Sequence, residues 1–292
     1  MTTDLYNHIT TDPVSSFFSE DIHVDVLRLD QMHPVISGNK WFKLRYYLEA
    51  AKKENKKHIV TFGGAWSNHI IACAAACHAE GLLCTGIIRG EEPAVYSKTL
   101  QEAKAYGMHL RFVSREEYKE KIIPGTIYND DYSIIPEGGY GSIGAEGAAT
   151  ILNYCNKNYT HYCCAVGTGT MIAGIINGSN NEIIIGIPVL KNYYHAEEDI
   201  QSLLNGPSKK WQLVHDYHFG GYAKYDKSLL LFMNEFYQHT AIPTDFVYTG
   251  KLLYAIKDLV KKKFFPSQSR LLIIHSGGLQ GNASLPPGSL LF

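Results

Sequence analysis

The chain has 292 residues, 45% hydrophobic and 19% charged, enough apolar material for one large domain or two smaller ones. Its 27 Lys+Arg against 28 Asp+Glu leave a formal net charge of -1. That balance argues against a nucleic-acid binder, which carries a basic excess on one face.

The N-terminal stretch MTTDLYNHITTDP is polar and lacks the basic start and apolar run of a signal peptide. Asn39 to about Asn55 predicts a helix, with Trp41, Leu44, Leu48 and Ala51 at spacings of three and four. It opens on Ser37-Gly-Asn-Lys40. A lysine in the first helical turn meets the positive end of the helix dipole, which lowers the pKa of its amine. An ordinary surface lysine beside a Gly-Asn cap is the plainer reading of the same four residues. A strand, His58 to Phe62, leads through Gly63-Gly-Ala-Trp-Ser67 into a helix from Asn68 to about Glu80, capped by Ser67 or Asn68 and stopped by Gly81. Small residues there let backbone approach a ligand, and the helix N-terminus favours an anion, although Ser67 and Asn68 also serve as simple caps. The run Ile70 to Cys77 is far short of the about 20 apolar residues that a membrane span needs.

Leu83 to Ile88 reads as a strand, Ser97 to Tyr106 as a helix, and His109 to Val113 as a strand. Later strands are His161 to Val166, Glu182 to Val189 and Arg270 to His275, and later helices Met171 to Asn177, Leu229 to His239 and Gly250 to Lys263. Alternation of this kind predicts an α/β fold with parallel sheets wrapped by helices. The basic runs Lys52-Lys53, Lys56-Lys57 and Lys261 to Lys263 suit helix C-terminal turns. Asn192 to Asp226 shows no periodicity and reads as a long loop rich in Tyr and His.

After the His161 strand comes Gly167-Thr-Gly-Thr170-Met-Ile-Ala-Gly174. Amides of small residues, two hydroxyls and a helix N-terminus make a phosphate cup. No Gly-Lys-Ser/Thr follows, so it is not a Walker loop. Ile172 stands where a dinucleotide fingerprint has its third glycine, and no acidic residue ends the next strand. A phosphate site without nucleotide features points to a small phosphorylated cofactor. The turns Tyr248-Thr249-Gly250 and His275-Ser276-Gly-Gly278 are individually weak. The six cysteines show neither a C-x-x-C pattern nor a histidine at zinc-finger spacing, which predicts buried free thiols in a reducing cytoplasm and no metal site.

With these turns in order, the sequence resembles the 1-aminocyclopropane-1-carboxylate deaminase and D-cysteine desulfhydrase family. The resemblance runs from about Ile36 to His275. It rests on Ser37-Gly-Asn-Lys40-x-x-Lys43-Leu44, Ser67-Asn68-His69, Ile135-Pro-Glu-Gly-Gly139 with Gly144, Gly167 to Gly174, Asp245-Phe-Val-Tyr248-Thr-Gly-Lys251 and His275-Ser-Gly-Gly278. It implies a fold type II enzyme that uses pyridoxal 5′-phosphate, with two domains, each a mainly parallel twisted sheet wrapped by helices. Residues 1–44 and 145–292 would form the larger domain and 45–144 the smaller, with the cofactor in the cleft. It further implies a cytoplasmic homodimer acting on a small amino acid by α,β-elimination to a 2-oxo acid and ammonia.

Carried over by position, the resemblance makes Lys40 the Schiff-base lysine and base, with Ser67, Tyr248 and Tyr222 catalytic beside it. Lys43 and Gly167, Thr168, Gly169 and Thr170 would hold the phosphate, and Asn68 the ring hydroxyl. Ser67, Asn68 and His69 would meet the substrate carboxylate. Thr249 and Ser276 would surround the pyridine nitrogen. The deaminases carry a glutamate where this chain has Thr249, so D-cysteine leads and the cyclopropane amino acid is the alternative. The chain is also shorter than typical members around Arg89 to Tyr132. Two rivals are a dehydrogenase-like nucleotide binder, disfavoured by the Gly167 turn, and a non-catalytic phosphate-ligand binder.

Overall fold

The computed structural model describes residues 8–36, 38–125, 131–206 and 209–292. Its strands are β1 (Thr11–Pro13), β2 (His23–Arg28), β3 (His58–Gly63), β4 (Leu83–Arg89), β5 (His109–Val113), β6 (Tyr132–Ile135), β7 (His161–Val166), β8 (Ile183–Pro188), β9 (Trp211–Leu213) and β10 (Arg270–His275). The helices are α1 (Ser15–Phe18), α2 (Asn39–Lys53), α3 (Asn68–Ala79), α4 (Lys98–Ala105), α5 (Arg115–Lys119), α6 (Ser142–Ala149), α7 (Thr170–Gly178), α8 (Ala196–Gln201), α9 (Lys227–Thr240) and α10 (Thr249–Lys261). Strands form a six-stranded sheet, β1-β2-β10-β7-β8-β9, and a four-stranded sheet, β5-β4-β3-β6. Every pairing is parallel except β1 with β2.

Parallel strands covered on both faces are apolar throughout, and the central strands obey this. His161 to Val166 is buried at every position. Along β7, Cys164 and Val166 join one core while Cys163 and Ala165 join the other, which is the period of two expected of a strand. The first core also takes in Ile59, Cys84 and Ile88 of the smaller sheet, with α2, α3, α6 and α7 between the sheets. The second core lies beneath α1, α9 and α10. Helices of the middle layer meet at backbone distance: a Cβ on Gly147 of α6 would fall 2.1 Å from the Phe42 carbonyl oxygen of α2.

The fold is the α/β arrangement expected, mainly parallel sheets wrapped by helices, and it adds β1, β2, β6, α1, α5 and α6, which the sequence reading did not name. The stretch 192–226 is not a continuous loop, since it contains α8 and β9. Both are short, at 6 and 3 residues, so neither displays a full helical or strand period. Lys52, Lys53 and Lys261 lie in last helical turns, whereas Lys56, Lys57, Lys262 and Lys263 fall past the helix ends.

Candidate active site

Strand ends from both sheets enclose a cleft of about 690 Å³. Such ends are where α/β folds place their ligands, because loops and helix N-termini converge there. The cleft is lined by Lys40, Lys43, Ser67, Asn68, His69, Gly167, Thr168, Gly169, Tyr222, Tyr248 and Ser276, among others. The structure therefore brings together most of the residues singled out in the sequence. Ser37 lies outside the described residues.

Lys40 reaches the cleft because α2 begins against the end of β10. Gly38 has φ 64°, and a Cβ there would lie 1.9 Å from the Ser276 carbonyl oxygen, so only glycine permits this approach. The Asn39 amide donates to that same oxygen at 3.3 Å. The Lys40 amine donates to Asn39 Oδ1 at 3.0 Å and lies 5.7 Å from the centre of the Tyr248 ring. Burial lowers its pKa to about 8, with the Asp245 carboxylate opposing the shift.

One turn along α2, Lys43 is almost fully buried and donates to the Gly138 carbonyl at 2.5 Å. Burial pushes its pKa well down, and the neighbouring Lys40 adds to the effect. Among the described residues no carboxylate pairs with it. A Cβ on Gly138 would lie 2.9 Å from Thr168 Cγ2, so Lys43, Gly138 and Thr168 are contiguous. Thr168 belongs to the turn at the N-terminus of α7, and its hydroxyl is 3.1 Å from that of Thr170. A buried amine beside a helix N-terminus forms a place for a multiply charged anion.

On the opposite wall, Ser67 caps α3 by accepting from the Ile70 amide, as its position predicted. Asn68 donates to the Gly278 carbonyl at 3.4 Å, while its Oδ1 is buried with no partner. His69 Nε2 lies 2.8 Å from Thr61 Oγ1, and its Nδ1 is buried and unpaired. Burial pushes the His69 pKa well down, followed by Lys43 and Lys40. At the mouth are Trp66, Arg89, Lys121 and Glu137. Lys121 pairs with Glu137 at 2.7 Å.

Tyr248 and Tyr222 meet edge to face, ring centres 6.2 Å apart. Burial raises the pKa of both phenols, so both stay protonated. The Tyr222 loop is fixed by Lys251, fully buried on α10, which donates to the His218 and Gly221 carbonyls at 2.9 and 2.8 Å. Asp245 holds the Tyr248 turn by accepting from the amides of Val247, Tyr248 and Thr249.

Two expected residues do not reach the cleft wall. Thr249 and Thr170 each begin a helix, and both side chains turn inward and are fully buried. The Thr249 hydroxyl has no partner at hydrogen-bond geometry, and only Ser276 of the two residues assigned to a ring nitrogen faces the cleft. Sequence reasoning gave no role to Thr61, Asp245, Lys251, Arg89 or Glu137. Glu137, Asp245 and Lys251 do stand within quoted motifs; the partner of His69 is visible only in the folded chain.

Comparison with known proteins identifies the family and the fold. The family profile described as "Pyridoxal-phosphate dependent enzyme" matches residues 8–277. A putative 1-aminocyclopropane-1-carboxylate deaminase of Pyrococcus abyssi is 29% identical over 291 residues, spanning 90% of this chain and 87% of its own. A bifunctional D-cysteine desulfhydrase/1-aminocyclopropane-1-carboxylate deaminase of Arabidopsis thaliana is 29% identical over 289 residues, covering 84% of this chain and 70% of that one. Among solved structures, an ACC deaminase homologue shares the fold with a TM-score of 0.79 at 23% identity, over 97% of each chain. A hydrogen sulfide-producing enzyme from Fusobacterium nucleatum shares it with a TM-score of 0.70 at 13% identity, over 98% of this chain and 100% of that one.

Proposed function

Because the chain belongs to the pyridoxal-phosphate dependent enzyme family, we propose that it converts a small amino acid to a 2-oxo acid and ammonia by α,β-elimination, with D-cysteine the leading substrate. The observation that carries this reading is the pair of lysines, Lys40 half-buried and Lys43 buried, facing a glycine turn at a helix N-terminus across one cleft.

The residues fit the cofactor. The amine of Lys43 and the amides of the Gly167–Thr170 turn suit its phosphate. The unmet Oδ1 of Asn68 suits the ring hydroxyl, a donor that would end its isolation. Lys40 suits covalent attachment, since a pKa of about 8 leaves part of its amine unprotonated near neutral pH. When bound, the cofactor supplies an aldehyde that joins amines and a ring that withdraws electrons from the substrate's α-carbon.

The chain's own groups do the remaining work. Lys40 Nζ takes the α-proton, and the Tyr248 ring packed against it keeps water away. Ser67 and the amides at the N-terminus of α3 hold the carboxylate. The protonated phenols of Tyr222 and Tyr248 stand ready to donate to a departing group. Ser276 is a neutral hydroxyl, which does not hold a proton on a ring nitrogen as a carboxylate would. Asp245, packed against Thr249, has its oxygens engaged by three amides. Such a site favours substrates whose β-substituent departs with the electron pair, which supports D-cysteine. The deaminase names of several relatives keep 1-aminocyclopropane-1-carboxylate as the alternative.

Two separate sheets support a larger domain of residues 1–44 and 145–292 and a smaller one of 45–144. Six free cysteines suit a reducing, cytoplasmic setting, and a homodimer completes the proposal. Among the described residues no helix is long and apolar enough to cross a membrane. The test is a panel of D- and L-amino acids assayed for 2-oxo acid with the cofactor-loaded protein. Production from D-cysteine supports the reading, and no 2-oxo acid from any member refutes it.

A further inference from the structure

Away from the cleft, the C-terminal half of α3 and the start of β4 bury three thiols together. Cys73 and Cys77 are one helical turn apart on α3. The chain then reverses through Gly81, at φ 67°, and the first residues of β4 bring Cys84 back against them. All three sulfurs lie within 4.8 Å of one another, and Cys73 Sγ is 3.9 Å from Cys84 Sγ. The sequence hid this group, because its third member comes from the next strand and completes no familiar spacing.

The helix residues between Cys73 and Cys77 are all small, Ala74, Ala75 and Ala76. The three thiols are buried: Cys73 and Cys77 are 0% exposed and Cys84 3%. Buried free cysteines often act as small hydrophobes, but those have no need to converge on one point. We propose that Cys73, Cys77 and Cys84 form a three-thiolate site for a soft, thiophilic d10 cation. Thiolates select such ions, and among the described residues no fourth His, Cys, Asp or Glu completes the four-ligand set of structural zinc.

Binding of a divalent ion joins three sulfurs to the metal and releases their three protons to solvent, leaving the site with one net negative charge. The ion would tie α3, which carries Ser67 to His69, to β4, which ends at Arg89. Both are walls of the cleft.

The experiment titrates the reduced, cofactor-loaded protein with Cd(II) and follows the ultraviolet sulfur-to-cadmium charge-transfer band. The expected result is one equivalent bound per chain. The band should vanish in Cys77→Ala and Cys84→Ala and persist in Cys164→Ala, whose thiol lies outside the cluster. If the parent binds no more Cd(II) than Cys84→Ala does, the site is refuted. Should the cluster variants not fold, X-ray absorption on the cadmium-loaded parent decides. Three sulfurs around the ion support the site, and fewer than three overturn it.

Discussion

Thr61 donates its single hydroxyl proton to the Ile135 carbonyl at 2.8 Å and must therefore accept from His69 Nε2, also at 2.8 Å. This relationship fixes the His69 tautomer. With Nε2 protonated and burial holding the ring neutral, Nδ1 carries the lone pair, and it has no partner. The family resemblance had implied that this ring lies beside the substrate carboxylate. A lone pair suits a donor such as a substrate ammonium, which favours the proposed placing of the carboxylate on Ser67 and the amides of α3.

Thr61→Val removes the acceptor and leaves the His69 N–H and the Ile135 carbonyl unmet. The cost should be about 1–3 kcal/mol for an unmet buried group, read as a lower melting temperature. KM for the amino acid should also rise more than kcat falls. His69→Leu should raise KM in the same way while the protein stays yellow. Unchanged KM in both variants would remove His69 from substrate binding.

Lys40→Ala should abolish the visible absorbance of the bound cofactor together with turnover, since one amine is both anchor and base. Lys43→Ala should keep the colour and lose cofactor more readily on dialysis. Visible absorbance retained in the Lys40 variant would move the anchor, with Lys43 the next candidate.

The pH dependence follows from burial of the Lys40 amine. Burial disfavours the ammonium, so the folded pKa is lowered to about 8 and the nucleophilic form appears above that value. Covalent uptake of pyridoxal phosphate by cofactor-free protein should quicken as pH rises and level off beyond about 8. A rate that is the same on both sides of that pH would show that another step limits uptake.

Thr168 and Thr170 separate two ways of supporting an anion. Thr168 lines the cleft, whereas Thr170 is buried behind it with its hydroxyl 3.1 Å from that of Thr168. Thr168→Val should therefore weaken cofactor binding by about 1.5–3 kcal/mol, the range for a hydrogen bond to a charged group. Thr170→Val should cost only about 0.5–1.5 kcal/mol, the range for an ordinary hydrogen bond. The reverse order, measured by equilibrium dialysis, would place Thr170 on the phosphate instead.

What the sequence revealed was whatever is local. Strands such as His161–Val166 and helices such as Asn39–Lys53 carry full periods, and the Gly167–Thr170 turn and Lys40 sit in contiguous motifs. Short elements did not show, because β9 and α8 are too brief to display a period. Nor did side-chain direction at helix starts: Thr249 and Thr170 stand one residue from the cleft wall and point into the core. Tertiary partners were equally hidden. Thr61 meets His69 only because β3 and α3 pack together, and Lys251 reaches Gly221 across 30 positions of chain.

The choice between the two leading substrates rests on what faces the cleft where a ring nitrogen would lie. Ser276, the residue proposed for that position, lines the cleft, and Thr249 does not, its amide being on Asp245 Oδ1 at 2.9 Å. Thr249→Glu would bury a second carboxylate against Asp245, and two like charges in a low-dielectric interior are strongly disfavoured. That variant should lose stability rather than change substrate preference, so the informative position is Ser276. A neutral group there makes negative charge on the substrate's α-carbon costly unless the β-substituent carries it away. The parent protein should then turn over D-cysteine faster than 1-aminocyclopropane-1-carboxylate, whose ring opening has no departing group. Ser276→Ala should leave the ratio of the two rates nearly unchanged, because one neutral group replaces another. Ser276→Asp should shift the ratio toward the cyclopropane substrate, since charge-assisted hydrogen bonds are roughly twice as strong as neutral ones. The measurement is that ratio in the three proteins, from 2-oxo acid formed. Faster processing of the cyclopropane substrate by the parent would refute the argument, because a neutral Ser276 would then suffice for the harder reaction.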